Sequence, residues 1–306
     1  MPMREISYTA KENDAGRQLK RIIRGEMGLS QHLYASLKRR GAVLIDGQPA
    51  RANAYLAPGQ VITLRIDDAP AQDPENALLT PPPDLTVAIV YEDDDLMIVD
   101  KSAPLSCMRG LRGDGDSLED RLIWLRRGTD FVFRPVNRLD KGTSGLMALA
   151  KHAHAQQLMQ RALHTDQFVR EYLAVVEGVV TDDQGTIDAP IGKADGATVR
   201  REVRADGKTA VTHFRVLSCA GGLTLVRVRL QTGRTHQIRV HMAHIGHPIV
   251  GDFLYGREDP RLPGRFALHS CALSLRQPVT GEMLAFESGM PGEMAALMAP
   301  PENREQ

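Results

Sequence analysis

The sequence predicts an α+β protein made of two parts. One is a small α/β domain. The other is a larger domain whose largely antiparallel mixed sheet is flanked by helices and loops. Three observations predict it. Extended runs with period-two alternation outnumber helical stretches and follow one another through turn signals. A Pro/Asp-rich stretch, DDAPAQDPENALLTPPPD, divides the chain at 67–84. Charge is arranged in blocks: residues 1–66 carry 11 Lys/Arg against 5 Asp/Glu, 67–100 carry none against 10, and 197–241 carry 9 against 2.

The elements follow in order. In residues 1–66, GRQLKRIIR (16–24) places Leu19, Ile22 and Ile23 at helical spacing. Ser30 suits the N-cap of a second helix, HLYASLKRR, which Gly41 ends. AVLIDGQPA reads as a hairpin turning at Asp46-Gly47, and GQVITLRI as a strand. Lys20, Arg21 and Arg24 lie on the first helix, and Lys38, Arg39 and Arg40 end the second. A charge run is commonly just a solvated helix end; two runs on adjacent helices make a basic surface. Pro81, Pro82 and Pro83 can neither continue a helix nor enter a central strand, so 67–84 is expected to be a semi-rigid linker. Residues 85–295 form the larger domain. It opens with the strands LTVAIVYED and DLMIVDKS, continues through a helix over 151–164, and adds REYLAVVEGVV, AVTHFRVLSCA and GLTLVRVRL. Residues 296–306 are expected to be a flexible tail.

Composition excludes several classes. With 306 residues, 42% hydrophobic and 25% charged, the chain is neither disordered, collagen-like nor a disulfide scaffold. The 38 Lys/Arg balance the 38 Asp/Glu. That neutral total argues against a nucleic-acid partner only if charge is uniform. Here it sums two basic segments and one acidic one, an asymmetry typical of an electrostatic footprint. The acidic stretch is expected to hold the rest of the molecule off a polyanion. Cys107, Cys219 and Cys271 are odd in number and form no CxxC pair, which points to reduced thiols. The N-terminal MPMREISYTAKENDAG lacks the apolar core of a signal peptide, and no run approaches the roughly 18 apolar residues of a membrane span. The expectation is a cytoplasmic monomer with no membrane partner.

Three segments carry chemistry. In RPVNRLDKGTSGLMALAK (134–151), a polar loop holding Asp140 between Arg138 and Lys141 precedes an apolar run. Asp140 is either a turn residue in a surface ion pair or a carboxylate whose charge the neighbouring bases favour, suited to nucleophilic or electrostatic work. In LQTGRTHQIRVHMAHIGHPIVGDFLY (230–255), Arg234, His236, Gln237, Arg239, His241, His244 and His247 fall within 14 residues. The spacing of the last three histidines suits one helical face poorly and no Cys or acidic ligand lies among them, so no metal site is expected. Arg234 and Arg239 are read as anion contacts, and GHPIVGD as a rigid reversal. Tyr172, in REYL, starts a strand, where a tyrosine is usually half-buried packing.

Together NRLDKGTSGL, REYLAVVEG, TGRTHQIRVHMAHIGHPIVGDFLYG and ALHSCALSL, in this order, resemble the RluA-type RNA pseudouridine synthases. The resemblance covers the whole chain, and residues 15–66 resemble an S4 RNA-binding domain. It implies an isomerase of the intramolecular-transferase class that converts uridine to pseudouridine in structured RNA. The implied partner is large-subunit (23S) ribosomal RNA, with tRNA as the alternative. It implies that Asp140 attacks the target uridine, that Tyr172 stacks on the uracil and is implicated in proton removal at C5, and that Arg234 pairs with Asp140. Arg138 would hold the place or phosphate of the flipped nucleotide. Asn137, His236 and Arg239 would contact RNA around the cleft, and Arg21, Lys38, Arg39 and Arg40 would do so on the small domain. Asn137 departs from the family, which most often has His there; an amide keeps hydrogen bonding but cannot titrate near neutrality.

The reaction breaks N1–C1′ and joins C5 to C1′, with no redox change. It needs no metal or other cofactor, in keeping with the lack of GxGxxG, P-loop and zinc patterns. Two other classes compete. One is a non-catalytic RNA-binding protein, against which Asp140, Tyr172 and Arg234 all stand. The other is a hydrolase with paired carboxylates, for which Asp252 is the one tempting second acid.

Overall fold

Several hydrophobic clusters organise the chain, one in its N-terminal part and the others in the rest, seen in a computed structural model that describes residues 4–51, 53–66, 81–110 and 116–299. Ile6, Leu19, Ile22, Ile23, Leu37, Ile62 and Leu64 are the centre of the first. It is enclosed by β1 (Arg4–Thr9), α1 (Leu19–Gly25), α2 (Gln31–Arg39), β2 (Val43–Ile45), β3 (Gln48–Pro49) and β4 (Val61–Ile66). The strands form an antiparallel sheet in the order β1-β4-β2-β3. Ser30 accepts a hydrogen bond from Leu33 N at 3.1 Å and so caps α2. Asp46 and Gly47 both have positive φ, the geometry of a tight two-residue hairpin turn. The first helix begins at Leu19 rather than Gly16: Gly16 has φ +69° and Leu19 N bonds Ala54 O, so the chain is still turning there. REISYT was not anticipated as a strand; its partner β4 lies more than 50 residues away.

The larger body contains β5 (Ala88–Glu92), β6 (Leu96–Lys101), α3 (Leu118–Leu125), β7 (Ser144–Ala150), α4 (Ala153–Ala162) and β8 (Phe168–Glu177). It continues with β9 (Gln184–Asp188), β10 (Ile191–Lys193), β11 (Arg201–Val203), β12 (Val211–Ala220), β13 (Leu223–Leu230) and α5 (Gln237–His244). It ends with β14 (Leu268–Arg276), β15 (Met283–Glu287) and α6 (Gly292–Leu297). The main sheet runs β5-β6-β7-β14-β8-β13-β12-β9, with β15 on β14. Among the described residues its one parallel pairing of strands, β7 with β14, makes it mixed but largely antiparallel. Phe266, Ile238, Met242 and the inward residues of β8 and β13 share one core on the sheet face that carries the site.

Gly145 makes the parallel pairing possible. It has φ +109°, and a Cβ there would lie 2.3 Å from Ser270 O. Gly145→Ala is expected to lower stability by about 3 kcal/mol or more, from overpacking and backbone strain. A thermal melt within a degree or two of wild type would contradict this.

The tail boundary needs correction. Position 296 falls inside α6, and Leu297 is buried against the large core, so the folded chain extends past 295. Positions 67–80 of the expected linker and 300–306 of the expected tail lie outside the described residues.

Part of the acidic stretch makes a contact between the two parts of the chain. Its turn at Asp93–Asp95 meets the small domain: Arg4 donates to both Asp95 oxygens at 2.8 and 3.0 Å and to Asp94 at 3.2 Å. His152 and Gln277 close on Asp95 at 3.0 and 2.7 Å. Burial would raise the Asp95 carboxyl, but hydrogen bonds from His152, Arg4 and Gln277 outweigh it and hold it below the usual carboxylate range. On α4, Gln157 and Arg161 donate to Gly28 O at 3.1 and 3.0 Å. The small domain is therefore docked against α4 and the β5–β6 turn.

Candidate active site

The loop before β7 is pinned on both sides. Asn137 Oδ1 accepts from Ala148 N at 2.9 Å, and Val136 N donates to Ala148 O at 2.9 Å. Leu139 N donates to Cys107 Sγ at 3.3 Å, and that thiol donates to Leu139 O at 2.9 Å. Thr143 N donates to Asp140 O, closing a turn. Gly142 lies under Phe266, whose ring a Cβ would meet at 2.7 Å. The backbone around Asp140 is thus fixed while its carboxylate stays 29% exposed.

The opposite wall is α5. Gln237, 2% exposed, accepts from Arg234 N and Thr232 Oγ1 and donates to Val211 O and Thr212 Oγ1. Two residues on, Arg239 reaches into the cleft floor. Its Nη1 donates to Asp140 Oδ2 at 3.0 Å, and its Nε and Nη2 grip Asp252 at 2.6 and 2.8 Å. Its guanidinium lies over Phe266 at 4.2 Å and Tyr255 at 5.1 Å. Burial alone would weaken its hold on the proton, but Asp252 and Asp140 more than reverse that, so it stays charged. A planar fork suits this arrangement, because one guanidinium can serve two carboxylates at once.

This corrects the expected pairing. Arg234 does not pair with Asp140; its Nε donates to Thr209 O at 2.9 Å from a position before α5 begins, although it lines the cleft. Arg239, expected to contact RNA, is 3% exposed with its donors committed to carboxylates. Asn137 is 5% exposed and acts as an anchor of β7, its Nδ2 buried without a partner. His236, at φ +58° on the N-cap of α5, shares a 2.9 Å hydrogen bond between its Nδ1 and the Tyr255 hydroxyl, and its Nε2 lies 3.8 Å from Asp140. Burial lowers its basicity despite the attraction of Asp140, which leaves the imidazole neutral at neutral pH. Arg138 is exposed on the rim. Arg21, Lys38, Arg39 and Arg40 are exposed on the small domain and do not line this cleft.

Tyr172 projects from β8 and is 5% exposed; burial pushes its hydroxyl up, so it stays protonated near neutrality. Four further residues complete the site. Asp252 is fully buried, with both oxygens on Arg239 and backbone donors at Leu254 and Tyr255. It cannot be the second acid of a hydrolase. Arg170, on the same strand face as Tyr172, donates to Leu163 O at 3.2 Å and keeps its Nε buried and unbonded. Gly233 leaves room for it: a Cβ would lie 3.0 Å from Arg170 Nη1 and 3.3 Å from His164. Lys101 donates to Ser102 O and Leu105 O, and burial lowers it to about 8. Two signals could have marked the buried arginines of the site. Arg239 lies between Ile238 and Val240, and Arg170 is in step with Phe168 and Tyr172.

His241 is occupied by Thr212 Oγ1 at 2.8 Å and Ala189 O at 2.9 Å, so it is a packing residue. The cleft has a volume of about 560 Å³, enough for a nucleoside. Arg138, Lys141, Arg170, Arg234 and Arg239 line it, with Asp140 the one carboxylate among the described lining residues. Such a cleft attracts a polyanion and holds one carboxylate, that of Asp140, at its floor.

The chain resembles known proteins over most of its length. The RNA pseudouridylate synthase family matches residues 95–244. An uncharacterised RNA pseudouridine synthase of Bacillus subtilis, YjbO, is 36% identical over 277 residues, which cover 90% of this chain and 96% of that one. Ribosomal large subunit pseudouridine synthase D of Pasteurella multocida is 36% identical over 81% of this chain and 78% of its own. Among solved structures, human RNA Pseudouridylate Synthase Domain Containing 1 superposes with a TM-score of 0.57 at 27% identity, covering 69% of this chain and 86% of that chain.

Proposed function

Since the chain belongs to the RNA pseudouridine synthase family, we propose that Asp140 is the nucleophile of this isomerase and that its target is a uridine of large-subunit ribosomal RNA. The bridging of Asp140 and Asp252 by Arg239 at the cleft floor carries this reading.

The target base must leave its stack to reach a cleft of this depth, so the nucleotide flips in. Tyr172 offers the aromatic face on which uracil stacks, and its protonated hydroxyl is a hydrogen-bond donor first and a base second. Asp140 attacks C1′ or C6, with Arg239 supplying a fixed counter-charge in a site of low dielectric. The N1–C1′ bond breaks, the freed uracil turns within the cleft, C5 bonds to C1′, and the bond to Asp140 breaks to return the free carboxylate. The proton of C5 passes to solvent and N1 gains one, so atoms balance without a cofactor. Arg138, Arg170 and Arg234 face the flanking phosphates. Removing Arg234 therefore affects binding more than chemistry: Arg234→Ala is expected to raise KM about ten-fold and change kcat less than about three-fold. A kcat loss of orders of magnitude with unchanged KM would contradict this role.

The small domain, S4-like in sequence, anchors the RNA through the exposed bases of α1 and of the end of α2. Converting Arg21, Lys38 and Arg39 to Ala together should weaken binding of structured ribosomal RNA and flatten its salt dependence by roughly 0.7 to 0.9 per lost phosphate contact. Unchanged affinity and slope would remove these residues from the interface. The target itself is tested by mapping pseudouridines in RNA from cells with and without the gene. The expected result is loss of one or more large-subunit ribosomal sites; loss confined to tRNA would contradict the ribosomal assignment.

A further inference from the structure

The cleft around Asp140 continues past the ends of the strands. A second hollow of about 590 Å³ shares Leu163, His164 and Leu230 with it. Its other lining includes Val169, His213, Arg229 and Gln231, with Thr165, Asp166 and Phe168 at its edge. Side chains alternate across a strand. On β8, Arg170 and Tyr172 face the active-site core, so Val169 and Glu171 face the other way. Arg229 pairs in register with Glu171 and with His213, and so shares that outer face. A strand leaving the active cleft past His164 and Leu230 thus reaches the back of the same sheet.

The back face is arranged at a cost to stability. Arg215 stands directly opposite Arg227, and His213 directly opposite Arg229, on adjacent antiparallel strands. The facing charges of Arg215 and Arg227 destabilise a sheet in such positions. Arg227 is offset by Glu171 at 2.6 Å. Arg215 and Arg229 are exposed and make no ion pair among the described residues. His213 is held between Thr186 and Gln231 at 2.9 and 3.2 Å, and Asp166 is the acid on the rim of the hollow. Arg215 and Arg229 are diagonal neighbours, with Cβ atoms about 7 Å apart in such a pair, so long side chains from the two can take adjacent phosphates.

We propose that this outer face is a second RNA subsite, in which Arg229 and Arg215 bind successive phosphates of the single strand flanking the target uridine. The proposal rests on the reading of the chain as an RNA pseudouridine synthase. Both side chains are exposed, so Arg215→Ala/Arg229→Ala keeps the fold, which its melting temperature checks. The probe is in-vitro-transcribed large-subunit ribosomal RNA. Filter binding across a salt series measures Kd, and tritium release from uracil C5 at saturating RNA measures kcat. The expected result is a Kd raised about ten-fold, a salt slope shallower by about 1.4 for two single-strand contacts, and kcat unchanged. Wild-type turnover with unchanged Kd and slope in the variant overturns the subsite and leaves this face to a protein partner. Absence of tritium release from the wild type is a different failure, that of the functional reading.

Discussion

Replacing Asp140 by Asn should reduce pseudouridine formation by about 10⁴-fold or more, while RNA affinity stays within a few-fold of wild type. The substitution keeps shape and one hydrogen-bond acceptor, so Arg239 Nη1 can still be met at 3.0 Å and the loop, held by Ala148, Cys107 and Thr143, keeps its backbone. What disappears is the anionic oxygen. An amide cannot form the covalent bond to the sugar or base that splits one hard step into two easier ones. The phosphate-facing cations are untouched, so binding persists. Single-turnover kinetics with tritiated RNA, beside filter binding, checks both halves.

Arg239→Ala should be the second large effect, and it should strike twice. Turnover should fall by about 10² to 10³-fold because the fixed counter-charge beside Asp140 is lost. Stability should fall by about 3 to 5 kcal/mol because Asp252, 0% exposed, is left as a buried unpaired carboxylate. Two further variants separate the effects. Arg239→Lys keeps a charge but not the fork, and is expected to lose much of the turnover with a smaller loss of stability. Arg239→Met combined with Asp252→Asn removes the buried charge and should recover most of the melting temperature with no recovery of turnover. Turnover restored in the double variant would show that Arg239 acts only through the fold.

Much of the fold could be read from local pattern. Ser30 with Gly41, and Asp46 with Gly47, are short-range signals, and the structure uses each where it occurs. Alternation in β8, β12 and β13 is similarly local. What stayed hidden depended on distant partners. β1 is a strand because β4 receives it, and the Asp93–Asp95 turn is an interdomain contact because Arg4 reaches it.

The candidate site divides in the same way. Asp140 and Tyr172 lie in distinctive strings, and the fold brings both to one cleft. Arg234 and Arg239, five residues apart, look alike in sequence. Only the start of α5 distinguishes them: Arg234 precedes the helix and turns to Thr209, whereas Arg239 lies on its buried side facing two carboxylates. Asp252, the tempting second acid in sequence, accepts backbone hydrogen bonds in a turn and fixes the arginine that holds Asp140.

The most direct test is tritium release from large-subunit ribosomal RNA labelled at uracil C5, with wild type and Asp140→Asn assayed side by side. The account predicts release by the wild type in step with pseudouridine formed, and release at background from the variant despite retained binding. Equal release from both, or none from the wild type on RNA it binds, would contradict it.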